Sequence, residues 1–400
     1  MNLKRKNIWI INEYAGSPKH GMEFRHYYLG LEFIKLDHKV SIISSSYSHL
    51  FKNKPKPGIE NLDGITYLWF KTLNYGNSHN FKRIIKWFYF SFKILTIPFY
   101  LKKPDVILIS PMAPFLSLSA FILSKFYNAK LIFEVKDIWP LSVVEIGGYS
   151  KRNPFIYFMS LFERFALLKS DFIVSNLEYY GDHIGNLGIQ KKSNWISNGI
   201  HLDEMSSPVE LTEEIRSLIP KNKFIIGYTG TVGTANSMEC FLEAAKNINN
   251  NDIFFVIVGD GQEKQLLKDN YRALKNIVFI DSIDKNKVPS MLSLFDVCFQ
   301  GWNKADIYKY GTSANKIFDY MYSGKPILNS FSGKGDHIKK ANCGCSVEAK
   351  NTEEIIKGIK KLYDMSPHER SQLGKNGKKY VIEHFSYKNL ARKYNLILQK

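Results

Sequence analysis

Short apolar runs alternate with amphipathic stretches from one end of the chain to the other. In the first half, runs rich in Val, Ile and Leu predict strands over residues 7–12, 39–45, 65–70, 106–110, 130–135, 171–175 and 194–197. Between several of them the period changes to 3.6 residues, predicting helices over 23–36, 115–126 and 155–169. A second series begins with a strand opening at Lys223. Further strands follow over 253–258, 277–280, 297–300 and 326–330, separated by helices such as 239–248. The intervening residues 201–221 are polar and acidic, hold Pro208 and Pro220, and read as a hinge. Residues 342–347 are too short and irregular to classify. His38 lies in the tight link into the second strand and reads as structural. Ser366-Pro367-His368-Glu369 has the form of a capping box with proline in the first helical position.

Short strands that alternate with helices form parallel sheets covered on both faces. The expected fold class is therefore α/β, with two doubly wound Rossmann-like domains facing a central cleft at the carboxyl ends of their strands. The expected division is 1–200, a hinge at 201–221, a second domain at 222–382, and a closing helix within 383–400. Leu390, Tyr394, Leu396 and Ile397 are the apolar anchors of that helix.

Composition narrows the partners. The 400 residues carry 55 Lys+Arg against 37 Asp+Glu, a net charge of +18, which favours an anionic partner. The four cysteines include no CxxC pair and read as reduced thiols of a cytosolic protein. The start is basic and then apolar, like a signal peptide. Its apolar part is too short, however, and runs into Asn12 and Glu13, so a first buried strand fits better. No run reaches the roughly 20 apolar residues needed to cross a bilayer.

The stretch 310–330 carries the most chemistry. It reads as a Gly/Ser loop, a helix from about Asn315 to Tyr322 capped by Ser313, a stop at Gly324, and a buried strand. Lys316 places a cation in the first turn, against the macrodipole, which makes sense if an anion binds there. Asp319 lies one turn later on the same face, within reach of a second ligand group. A surface Lys–Asp pair is the plainer alternative. Earlier, Gly227-Tyr228-Thr229-Gly230-Thr231-Val232-Gly233 links a strand to a helix and lets backbone amides approach a phosphate. Its spacing is not GxGxxG, and no acidic residue ends the next strand in the required role, so a nicotinamide cofactor is disfavoured. Gly259-Asp260-Gly261 is a similar strand exit one unit later. The long loop at 13–25 has the length of a functional loop. It leads to Arg25, either an added charge for a ligand or a solvated helix residue.

The string Ser313-Ala314-Asn315-Lys316-Ile317-Phe318-Asp319-Tyr320-Met321 resembles the donor-site signature of the family 4 retaining glycosyltransferases. More narrowly, it resembles the branch that builds bacterial O-antigen and capsule sugars. Asp137-Ile138-Trp139-Pro140 is similar to a second run of that branch. The resemblance implies the two-Rossmann GT-B architecture, with the last helix crossing back onto the first domain. It implies a nucleotide-sugar donor, of the UDP type, and a polyprenyl-diphosphate-linked saccharide acceptor. By the same resemblance Asp319 would hold ribose hydroxyls, and the diphosphate would lie against Gly230, with Gly21 offering an amide to the β-phosphate. The base would meet Ser282 and Ile283, after the loop of Asp260 and Gly261. Asp137 would be the leading acceptor-side carboxylate, with Glu145 the next candidate; Trp139 offers a flat apolar face to sugar or lipid, with a buried anchor as the plainer alternative. The family's first acid falls on Gly311, its histidine on Ser110, and its phosphate-binding Arg and Lys on Thr231 and Asn236. Phosphate charge would then fall to Lys316. Asn198-Gly199-Ile200-His201 is similar to the run that closes the family's first domain.

With no DxD-type motif in the chain, no metal or other cofactor is expected. Residues 81–103 are basic and densely aromatic, with Lys82, Lys86 and Lys93 on one side, and suit an anionic membrane surface on the cytoplasmic face. The other reading packs the aromatic side on the sheet and leaves only the lysines in water. The specific activity implied by relatives with the same runs is transfer of L-N-acetylfucosamine. A nucleotide-sugar epimerase on the same fold and a nucleic-acid-binding protein are the rival readings. The latter is disfavoured because the charge is spread over both halves without a recognition motif.

Overall fold

The computed structural model describes residues 4–21, 23–76, 81–112 and 114–400. The chain divides into two compact units. One comprises Met1–Asn198, Lys309–Ser313 and Tyr387–Lys400, and the other Gly199–Tyr308 and Ala314–Ser386.

The first unit holds β1 (Asn7–Ile11), β2 (Lys39–Ser45), β3 (Gly58–Leu62) and β4 (Ile65–Phe70). These are followed by β5 (Val106–Ile109), β6 (Lys130–Val135), β7 (Phe172–Ser175) and β8 (Ser193–Trp195). They form one sheet in the order β3-β4-β2-β1-β5-β6-β7-β8. The ladders are parallel except for β3, which pairs antiparallel with β4. The apolar runs of β1, β5 and β6 are buried because helices cover the sheet, as parallel strands require. β3 was not anticipated, since Gly-Ile-Glu-Asn-Leu lacks a strand's alternation. Its signal was the turn: Asp63 and Gly64 both take positive φ, the geometry of a two-residue hairpin. His38 is structural, its Nδ1 accepting from the Lys6 amide and its Nε2 lying 2.9 Å from Asn395 Oδ1.

The last helix, Tyr387–Leu398, packs on the Arg25–Lys35 helix through Leu390, Tyr394 and Ile397. Leu396 does not join them. It lies off the face shared by positions 390, 394 and 397 and is 67% exposed.

The helix Lys82–Lys93 departs from expectation in its orientation. Lys86 is not on an outward basic side but fully buried. Its Nζ donates to the Tyr47 carbonyl at 2.8 Å and sits over the Tyr14 and Tyr75 rings. Trp87, Phe90 and Ser91 turn inward with it, while Phe81, Ile85 and Phe92 face solvent.

The second unit holds β9 (Phe224–Thr229), β10 (Ile253–Val258), β11 (Ile277–Ile280), β12 (Val297–Gly301), β13 (Ile327–Ser330) and β14 (Gly344–Val347). Its order is β11-β10-β9-β12-β13-β14, parallel throughout. β14 resolves the unclassified residues. It is a four-residue, half-buried edge strand, too short to show a period. Residues 201–221 contain two short helices, Leu202–Ser206 and Glu213–Ser217. The Ser366 capping box is formed, with the Ser366 amide donating to Glu369 Oε2 at 2.7 Å. That helix, Pro367–Phe385, runs past position 382.

In each sheet the chain order reverses beside its first strand, at β1/β5 in one unit and β9/β12 in the other. Doubly wound sheets bind ligands at the carboxyl ends of such strands.

Candidate functional site

In the second unit the helix Asn315–Ser323 aims Lys316 at the turn leaving β9. Its Nζ donates to Tyr228 Oη at 2.7 Å and to Asn236 Oδ1 at 3.1 Å, and lies 4.2 Å from the Tyr228 ring centre. Among the described residues no carboxylate pairs with it. Its neighbours are neutral and withdraw most of it from water, so burial pulls its pKa down to about 7. A Cβ at position 230 would stand 2.6 Å from this ammonium, so Gly230 leaves room for the lysine.

The two glycine-bearing turns fit against each other. A Cβ on Gly259 would lie 1.9 Å from the Gly230 carbonyl oxygen, and one on Gly261 2.0 Å from that of Val232. Val232 N donates to the Asp260 carbonyl at 2.9 Å. The Thr231 carbonyl accepts from Tyr228 Oη at 2.6 Å and Asn236 Nδ2 at 3.0 Å. Asn236, where relatives would carry a cation, thus holds the turn and the lysine at once. Asp260 accepts from the Ser282 amide at 3.3 Å and from Lys264 at 2.9 Å. The Ser282 side chain first, then Lys264, with the Ser282 amide adding less, holds its carboxyl down at about 2. The Ser282 amide is therefore engaged by Asp260, and Ile283, half-buried, is the next position of that loop.

Asp319, one turn after Lys316, does not pair with it. Its Oδ2 accepts from Lys285, and the residue is buried. Ser313 is not the helix cap. Ala314 occupies that position, without a side-chain bond. The Ser313 hydroxyl instead accepts from the Asn198 amide at 3.0 Å, so the Asn198 turn has claimed it. Asn315 is exposed on the first turn. Gly311 adopts φ 95°, where an acidic side chain would be strained, and its Cβ would lie 3.1 Å from the Glu178 amide.

In the first unit, the loop after β6 places Asp137 and Trp139 around a small pocket that Pro111, Met112, Glu163 and Tyr180 also line. Asp137 is exposed at the surface, yet many protein atoms crowd its carboxyl; that crowding raises its pKa, with Lys136 opposing and Glu23 adding to the rise. Trp139 is half-buried and meets Trp87 edge-on at 5.6 Å. Ser110 is fully buried, and its hydroxyl has no partner among the described residues. Glu145 lies at the end of the short helix Leu141–Glu145, half-exposed.

Two expected residues are structural here. Arg25 is neither solvated nor free for a ligand. It is 3% exposed, pairs with Glu134 at 2.9 Å, and donates to the Ile196 carbonyl at 2.8 Å. Burial alone would raise Glu134, but Arg25 and His26 hold its carboxyl well below the usual range. Tyr394 donates to the same Glu134 oxygen at 3.0 Å. The Gly21 amide does not stand open for a phosphate; it donates to the Ser17 carbonyl at 2.8 Å.

Sequence reasoning missed Lys285, and it missed that Tyr228 and Asn236 hold Lys316; the three become neighbours of the lysine helix only through the fold. It also missed buried Glu13 beside Lys86. There burial raises the carboxyl and lowers the ammonium to about 8.

A twin doubly wound fold with a cation beside a glycine-rich strand exit defines a nucleotide-type ligand protein, and the comparisons make the class specific. Residues 20–204 match the family described as Glycosyltransferase Family 4, and residues 210–380 match Glycosyl transferases group 1. This chain is a glycosyltransferase of the group 1/family 4 type. It is 23% identical to an uncharacterized glycosyltransferase, MJ1069, of Methanocaldococcus jannaschii over 69% of this chain and 71% of that protein. It is 25% identical to the putative colanic acid biosynthesis glycosyl transferase WcaI of Escherichia coli K12, over 48% of this chain and 50% of that protein. Its fold superposes on Anabaena Alr3699/HepE, solved with UDP and glucose, with a TM-score of 0.69 at 12% identity, covering 98% of this chain and 99% of that one.

Proposed function

We propose that the protein transfers a sugar from a UDP-sugar to a polyprenyl-diphosphate-linked saccharide in the assembly of a bacterial surface polysaccharide, with retention of anomeric configuration. The observation that carries this reading is Lys316: a cation withdrawn from water, unmatched by any carboxylate among the described residues, beside a glycine-lined turn at the switch point of its sheet. A leaving nucleoside diphosphate supplies the missing anion. Its charge grows as the glycosidic bond breaks, so a fixed ammonium stabilises the transition state more than the ground state.

In this assignment the second unit is the donor domain. Gly230 and Thr231 border the diphosphate, Asp319 Oδ1 takes a ribose hydroxyl, and the loop of Asp260, Gly261, Ser282 and Ile283 borders the base. Asn315 shapes the approach to Lys316. The first unit is the acceptor domain, with Asp137 as the carboxylate that receives the attacking hydroxyl's proton and Trp139 and Glu145 beside it. We assign no metal to the reaction; turnover that disappears with EDTA and returns with a divalent ion overturns this. The chain works at the cytoplasmic membrane's inner face, where lipid-linked saccharides are built. The likeness to the colanic acid enzyme supports a surface-polysaccharide role, and UDP-N-acetyl-L-fucosamine is the first donor to try.

A thermal-shift panel of nucleotide sugars, followed by turnover on a lipid-linked saccharide, tests the reading. The expected outcome is a raised melting temperature with UDP-sugars and an acceptor lengthened by one sugar. A new nucleotide sugar formed without acceptor would mean an epimerase, and no response to any nucleotide sugar would remove the donor site.

A further inference from the structure

Three helices of the first unit pack side by side, Lys82–Lys93 on Leu116–Tyr127 and that on Pro154–Lys169. Rings lock the layer: Phe88 stacks on Phe115 at 4.4 Å, Phe115 meets Phe162 at 5.2 Å, and Phe121 meets Phe165 at 5.5 Å. These contacts use the inner aromatics, yet each helix keeps a second apolar stripe facing solvent. On the first helix it is Phe81, Ile85 and Phe92; on the second Leu118, Ile122 and Phe126; on the third Tyr157, Leu161 and Leu168. Within each stripe the spacings of four and seven residues keep the side chains on one helical face. Phe126 is 74% exposed, and Phe99, just after the first helix, 86%.

Exposed apolar stripes on three helices packed side by side are more than the scattered exposed residues of an ordinary monomer. Its charge identifies the occupant. The three helices carry no exposed carboxylate, since their one acid, Glu163, is buried against His183. Lys82, Lys125, Arg164 and Lys169 border the stripes, with Lys102 and Lys103 near Phe99. A second copy of this face would set cations against cations. None of the described helices is long and apolar enough to span a bilayer. A surface of aromatic and aliphatic side chains rimmed by lysine and arginine matches the interface of an anionic bilayer.

We propose that this three-helix face, and not residues 81–103 alone, is the docking surface for an anionic lipid bilayer, with Phe126, Tyr157 and Leu161 entering the headgroup layer. It rests on the membrane-side assignment above but not on the sugar chemistry.

The test is flotation of the full chain with vesicles of phosphatidylethanolamine and phosphatidylglycerol, against vesicles of phosphatidylcholine. The wild type is expected to float with the anionic vesicles and to lose at least tenfold in bound fraction on the neutral ones. The variant Phe126→Ser/Tyr157→Ser/Leu161→Ser alters only side chains outside the Lys82–Lys93 segment. It is expected to lose at least tenfold on anionic vesicles while keeping its urea midpoint and its melting response to UDP. A variant that floats like the parent overturns the proposal, as does equal flotation on both lipids. A parent that sediments as a dimer, with the variant monomeric, assigns the face to a second copy and overturns it too. Loss of the UDP response in the parent overturns the donor site instead, so the two failures are separable.

Discussion

Lys316 Nζ lies 2.7 Å from Tyr228 Oη, a cation held by a neutral phenol where an ion pair would be ordinary. Burial without a counter-charge costs stability unless a ligand supplies the charge. Binding machinery is where such an arrangement is found.

Lys316→Ala is therefore expected to lower turnover by about 10²–10³-fold, the effect of removing one charge-stabilising donor. Its melting temperature is expected to stay level or rise, because an unmatched cation is lost with it. Initial rates and calorimetry on the same preparation check both. A variant with parental turnover refutes the phosphate assignment.

The pH dependence follows from the same lysine. Its folded pKa, about 7, lies below the unfolded value near 10.4. Between these limits the unfolded chain holds a proton that the folded one lacks, so this residue's contribution to stability grows as pH rises from 7 toward 10.4. Lys316→Met is expected to remove that slope in urea titrations. UDP selects the charged lysine, so its affinity is expected to fall by up to about tenfold per pH unit above pH 7. In Lys316→Arg the guanidinium stays protonated, and titration calorimetry is expected to give a flat profile.

Asp137→Asn is expected to reduce kcat by about 10²-fold or more, the usual contribution of a proton-accepting side chain. UDP affinity should be unchanged. The parent's rate should rise with pH through the elevated Asp137 pKa, a limb the variant lacks. An unaltered rate would disqualify Asp137 as the acceptor-side base.

Glu134→Gln is expected to destabilise the protein by about 3–5 kcal/mol, because it leaves Arg25 buried without its partner. Glu134 is held below its unfolded pKa, so its contribution is present above about pH 4.3 and fades as pH falls toward the folded value. Urea unfolding at pH 7 and pH 4 measures both effects. A midpoint equal to the parent's at pH 7 would contradict the strut role of Arg25.

The chain's own patterning determined the two parallel sheets, because strands covered on both faces need continuous apolar runs, and β1, β5, β6 and β10 have them. It also determined the lysine helix and its end at Gly324, but not its start, where Ala314 and not Ser313 takes the cap position. β3 escaped because its information lay in Asp63 and Gly64 and not in the strand. Tertiary structure alone decided what each charge meets. Arg25 and Lys86 look like surface cations in sequence, yet Glu134 and Tyr47, 109 and 39 positions away, draw them inside. Helical spacing tells which residues share a face but not which face turns inward. That choice belongs to the sheet each helix packs on, and it left aromatics outside on the Lys82–Lys93 helix and its buried lysine within.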